Sequence, residues 1–357
     1  MSRYWKWRRT SILLSTAEKL EVVEVPIYRS TGGPLFKTLY SSACRMDCLY
    51  CPLSYNCYTS REFWKRDKLI RVFMEAYRQR KVKGLFLSSG LYSDPEKVSE
   101  ELIEIAIDLR ESGYSGYIHI RLMPGTPRRL IREALKVTDR IGINLEAPGP
   151  SYFQEIAPSK GKWKTDLLSK LELAAREARK PLQVDTQFVL GGAKERDIDY
   201  IVLIHNLVRS GIGRVHFSPY TPIPGTKLAE IKPRHTPQWR AKYLYEVFFL
   251  MKYYKFKPSY FTPLIDDEGN IPPSTKRIKD RLVELHPEWF PVNVDTASFY
   301  ELLKVPGIGP VKARKIIALR EEGTKLTPLV IRRILGSTWR KAQKYLDIPA
   351  RDSILLA

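Results

Sequence analysis

From about Leu35 to Tyr220 the chain alternates short apolar or β-branched runs with longer stretches whose apolar residues recur three and four positions apart. The short runs are LFKTLYSS (35–42), GLFLSS (84–89), YIHIRL (117–122), RIGINLE (140–146), LQVDTQFVL (182–190) and GRVHFSPY (213–220). Their length and composition predict strands. Between them lie EFWKRDKLIRVFMEAYRQRK, DPEKVSEELIEIAIDLRES, TPRRLIREALKV, TDLLSKLELAAREAR and KERDIDYIVLIHNLVRSG, each predicting an amphipathic helix that covers a sheet. Strand–helix repetition implies parallel strands joined by right-handed crossovers. Six repeats fit either a doubly wound sheet or an incomplete barrel. Tyr117, His119 and Arg121 alternate onto one face of their strand, as do Asp185 and Gln187. In a barrel that face is the lumen, where such residues meet a ligand or serve as satisfied core.

A Pro-containing connector with aromatic helices follows, and 258–273, with its Pro, Asp and Gly, reads as a loop or hinge. From about Pro291 the pattern is purely helical. The expected organisation is a basic amino-terminal arm (1–34), the α/β body (35–230), a helical extension and linker (231–290) and a small all-α module (291–357).

The chain has 357 residues, 43 % hydrophobic and 28 % charged, which excludes a disordered or collagen-like protein. No run approaches the ~20 apolar residues that cross a bilayer. The apolar run Ile12–Leu14 is too short for a secretory signal, so a cytoplasmic protein is expected. The formal charge of +21 favours polyanionic partners, nucleic acid before an anionic membrane. The arm RYWKWRR near the start has residues able to stack on bases, or to fold against the body.

All four cysteines fall in one segment, SACRMDCLYCPLSYNC, as Cys44, Cys48, Cys51 and Cys57. Four cysteines in one loop are no disulfide framework. Cys44-x3-Cys48-x2-Cys51 follows the first predicted parallel strand, at the end where α/β folds build their sites. Three thiolates hold three corners of a 4Fe–4S cluster and leave the fourth iron open to a small chelating molecule. The competing reading is structural zinc completed by Cys57, but such sites usually use paired hooks farther apart.

A second signal is FYELLKVPGIGPVKARKIIALREEG. A helix ends near Lys304, PGIG turns tightly, and Pro310 starts the next helix, where its missing N–H costs nothing. Gly307 and Gly309 expose backbone N–H groups at that helix start, an anion nest flanked by Lys312, Arg314 and Lys315. The segment resembles a helix-hairpin-helix, which grips the nucleic-acid backbone without reading bases; a protein-contact role is the alternative.

The cysteine motif, with Tyr50 before its last cysteine and a chain of βα units behind it, resembles the radical S-adenosylmethionine (SAM) superfamily. That resemblance implies a partial (β/α)6 barrel, a 4Fe–4S cluster on Cys44, Cys48 and Cys51, and SAM on the open iron. It places Ser88, Ser89 and Gly90 at the methionine amino group, without the Glu usual in that motif. It sets Asn144 and Glu146 at the ribose, Gly192 (in FVLGGAKE) against the adenine and Tyr220 (in FSPYTPIPGT) at the adenine edge. With the hairpin, the order GLFLSSG, GYIHIRLMPG, TQFVLGGAKERD, VPGIGPVKARKI, ILGSTWRKAQKYL resembles the radical SAM family assigned to DNA modification or repair. The implied activity is reductive cleavage of SAM to a 5′-deoxyadenosyl radical that abstracts hydrogen from nucleic acid, with electrons from a donor such as ferredoxin or flavodoxin. Alternatives are a radical SAM enzyme acting on tRNA or other RNA, and a non-catalytic, metal-stabilised nucleic-acid-binding protein.

Overall fold

The computed structural model describes residues 7–15, 20–30 and 32–349. The chain divides into two compact units, one of residues 1–195 and 207–238, the other of 196–206 and 239–357.

The first unit is built on a single sheet in sequence order: β1 (Trp7–Ser15), β2 (Leu20–Ser30), β3 (Gly33–Leu39), β4 (Gly84–Ser88), β5 (Tyr117–Arg121), β6 (Arg140–Gly142), β7 (Val184–Leu190) and β8 (Arg214–Pro219). The strands β3 to β8 are parallel, and β1 and β2 extend the β3 edge antiparallel. All six expected parallel strands form, in a partial (β/α)6 barrel. Of the expected arm, residues 7–15 and 20–30 are strands of this sheet, while residues 1–6 lie outside the described residues.

The crossovers carry α1 (Arg66–Arg78), α2 (Pro95–Glu111), α3 (Arg128–Val137), α4 (Pro150–Ile156), α5 (Ser169–Glu177, entered through a π-turn at Trp163–Leu168) and α6 (Asp197–Arg209). Local chemistry sets their ends. Asp94 caps α2 by accepting the Lys97 N–H at 2.9 Å, with Pro95 at the first helical position. One face of each strand packs under the helices: Leu85, Leu87, Ile118, Ile120, Ile141 and Val184 are at most 1 % exposed. Burying an aliphatic side chain of this kind contributes about 1.5–3 kcal/mol.

The opposite strand face is polar. Asp185, fully buried, pairs with Arg121 at 2.6 Å and has Arg140 at 3.9 Å. His216 Nε2 lies 3.3 Å from Asp185 Oδ2; His119 Nε2 is equally near but not aligned for a hydrogen bond. Room for the pair comes from Gly142, where a Cβ would sit 2.1 Å from Arg121 and 2.4 Å from Asp185. Burial alone would raise the Asp185 pKa, but Arg121 and His119 hold it well below the usual carboxylate range. Burial pulls His119 down to about 4 despite Asp185, and burial with Arg121 brings Lys37 to about 8.

The second unit contains α8 (Gln238–Tyr254, after a short α7 at Lys227–Ile231), α9 (Ile278–Leu285), α10 (Phe299–Leu302), α11 (Pro310–Glu321) and α12 (Pro328–Leu335). Residues 239–290 of the expected extension thus share one compact unit with the hairpin, and 231–238 belong to the first. The carboxy-terminal module is not purely helical: Val292–Asn293 pairs in parallel with Leu346–Asp347. Two residues per strand are too few to show in a hydrophobic pattern.

Candidate active site

The cysteine loop runs from the carboxyl end of β3 and is tied down on several sides. The Gly90 N–H donates to Ser41 O at 2.7 Å, and Arg45 N–H to Leu91 O at 2.8 Å, docking the β4 turn on the loop. A Cβ on Gly90 would lie 2.2 Å from Ala43 O, so only glycine permits that approach. Arg61 donates to the carbonyls of Ser42, Leu53, Ser54 and Cys57 at 2.7–3.1 Å, satisfying loop oxygens that no regular element pairs. On a third side, Leu49 N–H donates to Ile156 O at 2.8 Å, and Asp47 accepts from the backbone and hydroxyl of Ser159.

These ties bring Cys44, Cys48, Tyr50, Cys51, Ser88, Ser89, Gly90 and Asn144 around a single open-mouthed cavity, with about 680 Å³ of empty space including its mouth. Eight of the residues singled out from sequence, on β3, β4 and β6 or the turns after them, therefore converge. Asn144 Oδ1 is buried and lacks a hydrogen-bond partner within the protein, an acceptor that a ligand hydroxyl or ammonium would satisfy.

Cys57 is not on this cavity; its thiol faces Gly225 O at 3.2 Å, beside a separate cavity behind the loop. Among the described residues no three Cys, His, Asp or Glu side chains converge on a point as one metal ion requires. Cys44, Cys48 and Cys51 share the lining of one cavity. Burial pushes Cys48 up to about 12 and raises Cys51 as well, so these thiols stay protonated until a cation displaces their protons. The donor set and the orphan acceptor fit a cluster and a small polar ligand beside it.

Glu146 is placed differently from expectation. It does not line the cavity but is buried, with a positive φ of 62° and its backbone held by Gln187 O and the Val189 N–H. Its carboxylate binds Lys160 and the Tyr50 hydroxyl, both of which do line the cavity. Burial would lower the Lys160 pKa, but Glu146 more than offsets it, and the ammonium stays charged. Trp163 fixes this segment by donating to Leu145 O and Ala147 O, each at 3.1 Å. Gly192 and Tyr220 follow β7 and β8, away from the cavity wall; the Tyr220 hydroxyl is engaged by Lys232 O at 3.1 Å. Sequence reasoning missed Lys160 and Arg61, whose partners are brought together only by folding. Arg121, weighed there only as a strand-face residue, also lines the cavity.

In the second unit, Gly307 has φ +85°, and a Cβ there would meet Thr338 at 2.7 Å. Ala313 and Ile316 are fully buried, as packing positions should be, and Arg314 and Lys315 are exposed. Lys312 departs from expectation. Its ammonium turns inward to Leu335 O at 2.8 Å and Thr338 Oγ1 at 2.7 Å, where it satisfies the end of α12 instead of reaching a phosphate.

A family model described as helix-hairpin-helix motif matches residues 290–328. No curated protein sequence matches the chain. Among solved structures, HydG, a maturase of the [FeFe]-hydrogenase, is 13 % identical over 88 % of this chain and 82 % of its own, with TM-score 0.51. Methylornithine synthase (PylB) is 12 % identical over 61 % of this chain, with TM-score 0.49; the match spans only 62 % of its length. A radical SAM methyltransferase from Sphaerobacter thermophilus is 13 % identical over 67 % of this chain and 74 % of its own, with TM-score 0.47. The likeness to HydG is one of fold: a partial (β/α)6 barrel, here with a helix-hairpin-helix motif in the same chain. No described helix is long and apolar enough to cross a membrane.

Proposed function

We propose that the protein is a radical SAM enzyme acting on nucleic acid, most plainly in DNA modification or repair. The observation that carries the reading is the convergence of Cys44, Cys48 and Cys51 with Ser88–Gly90 and Asn144 on one cavity at the carboxyl ends of parallel strands. Cys44, Cys48 and Cys51 would hold a 4Fe–4S cluster, and SAM would chelate its open iron. Bound there, the pair supplies carbon-radical hydrogen abstraction, fed by one electron from a donor such as ferredoxin or flavodoxin. The chain's own residues orient it: Asn144 offers its unpaired oxygen to a ligand hydroxyl, and Glu146 steadies Lys160 and Tyr50 on the wall. Lys160 and Arg121 also line the cavity, where their ammonium and guanidinium groups, paired with Glu146 and Asp185, would still offer N–H donors to the SAM carboxylate.

The nucleic-acid substrate rests on the hairpin motif and the +21 charge. The test is anaerobic reconstitution with iron and sulfide, then dithionite and SAM, with iron, sulfide and 5′-deoxyadenosine quantified. Cluster formation with 5′-deoxyadenosine release, lost in Cys44→Ala, is expected. Tightly held zinc without a cluster would overturn the reading. Competition between matched DNA and RNA duplexes separates the two substrates.

A further inference from the structure

Helix α8 has an unusual surface. Its inward side buries Ala241, Tyr243, Leu244, Val247, Phe248, Leu250 and Met251, the stripe expected of a packed helix. Its outward side repeats Tyr245, Phe249 and Tyr253 at four-residue spacing, and these rings are 41 %, 46 % and 43 % exposed. Three large aromatics in a row on solvent are costly to leave uncovered and mark a binding face.

The face is cationic around its rings. Lys242 and Lys255 are exposed, and Lys252 Nζ stands 5.7 Å from the Tyr253 ring centre. The helix's single carboxylate, Glu246, is committed to the Ile278 N–H at 2.8 Å. The stripe also leads to the hairpin turn within the same unit. Tyr254, next to Tyr253, has its ring centre 5.4 Å from that of Phe249, and its hydroxyl lies 3.7 Å from the position of a Cβ on Gly309. Lys279 sits over the Tyr254 ring at 5.1 Å and donates to Val305 O and Ile308 O of the turn, fixing one to the other.

We infer that the outward face of α8 is a stacking platform for single-stranded nucleic acid, continuous with the phosphate grip of the hairpin. Side chains four residues apart on a helix are about 6 Å apart along its axis. Bases in a duplex repeat at about 3.4 Å and have both faces covered by their neighbours, whereas the splayed bases of one strand present an open face that an exposed ring can stack on. Phe249 and Tyr253 lean together with ring centres 4.9 Å apart, which leaves their outer faces, not the gap between them, for a base. The lysines track the backbone while the rings take bases without regard to sequence, the usual division of labour in single-strand binding. A hairpin that holds duplex backbone beside a platform for one strand fits a substrate whose target nucleotide has left the stack. This inference rests on the nucleic-acid reading of the second unit and not on the radical chemistry.

The test uses the full chain with Phe249→Ala and Tyr253→Ala, singly and together. Fluorescence anisotropy is read with a labelled oligothymidylate and, separately, with a blunt duplex. Each substitution is expected to weaken oligothymidylate binding about fivefold or more, with duplex affinity and 5′-deoxyadenosine release unchanged. Equal oligothymidylate affinity in the double variant would overturn the inference, as would a loss shared equally by the duplex. A variant that changes only the oligomeric state would overturn it too, and would make the stripe a contact between copies. Were the unaltered protein to bind neither probe, the nucleic-acid reading itself would fall.

Discussion

The charge cluster in the barrel lumen makes a quantitative prediction for Asp185→Asn. The substitution keeps the shape of the side chain and removes the carboxylate that sits 2.6 Å from Arg121, whose side chain is only 7 % exposed. Arg140, 13 % exposed, loses the same counter-charge. An uncompensated buried charge of this kind costs about 3–5 kcal/mol. Arg121→Met in the Asp185→Asn background should recover much of that loss, because the stranded guanidinium is gone. Gly142→Ala drives a methyl group into both members of the pair, so it should be less harmful in the double variant, where Arg121→Met removes the nearer of the two contacts, than alone. Hydrogen exchange of peptides spanning β5–β7 is the appropriate assay, since it reads local opening of the first unit without assuming that both units unfold together. Opening free energies that fall by less than about 1 kcal/mol in Asp185→Asn, or that add across the three substitutions, would refute the reasoning.

Arg61→Ala removes a side-chain donor from four loop carbonyls and should lower iron retained after reconstitution, whereas Cys57→Ser should leave it unchanged; equal iron in Arg61→Ala would show that the loop does not need its staple. Lys312→Met should lower the unfolding temperature of the second unit more than its duplex affinity, while Arg314→Ala and Lys315→Ala together should do the reverse, as melting curves and salt-dependent binding would reveal. Acid should weaken the first unit: His119 is held down to about 4, so the unfolded chain takes that proton first and stability falls between about pH 6.5 and 4. The loss should reach about 3 kcal/mol and be shallower in His119→Gln; an unchanged profile in that variant would exclude His119 as its source.

The sequence told more about the sheet than about its contents. The strand candidates are within two residues of β4, β5, β7 and β8 because each carries a mostly apolar face that becomes buried. RIGINLE, expected as a strand to Glu146, pairs regularly only through Gly142, because beyond it the backbone bends to the positive φ of Glu146. The amino-terminal strands were hidden for another reason. β1 and β2 pair antiparallel across an edge and carry no βα rhythm to announce them.

Within the site, the three cysteines were legible because their chemistry is local; Ser88–Gly90 and Asn144 came from the family resemblance, which also set Glu146 at the ligand, where the structure has it holding Lys160 and Tyr50 instead. The illegible ones act at long range. Arg61 chooses its carbonyls only after the loop folds back, Lys160 reaches Glu146 from the far side of α4, and Gly142 is required by side chains on the two neighbouring strands. Lys312 shows the same limit from the opposite direction. Its position beside a glycine-rich turn reads as a phosphate contact, yet the carbonyls at the end of α12, 23 residues onward in sequence, claim the ammonium first. A cation beside a glycine-rich turn can serve a ligand only when the fold leaves no closer oxygen unsatisfied; Lys312 fails that condition, so the proposed phosphate contact is left to the exposed Arg314 and Lys315.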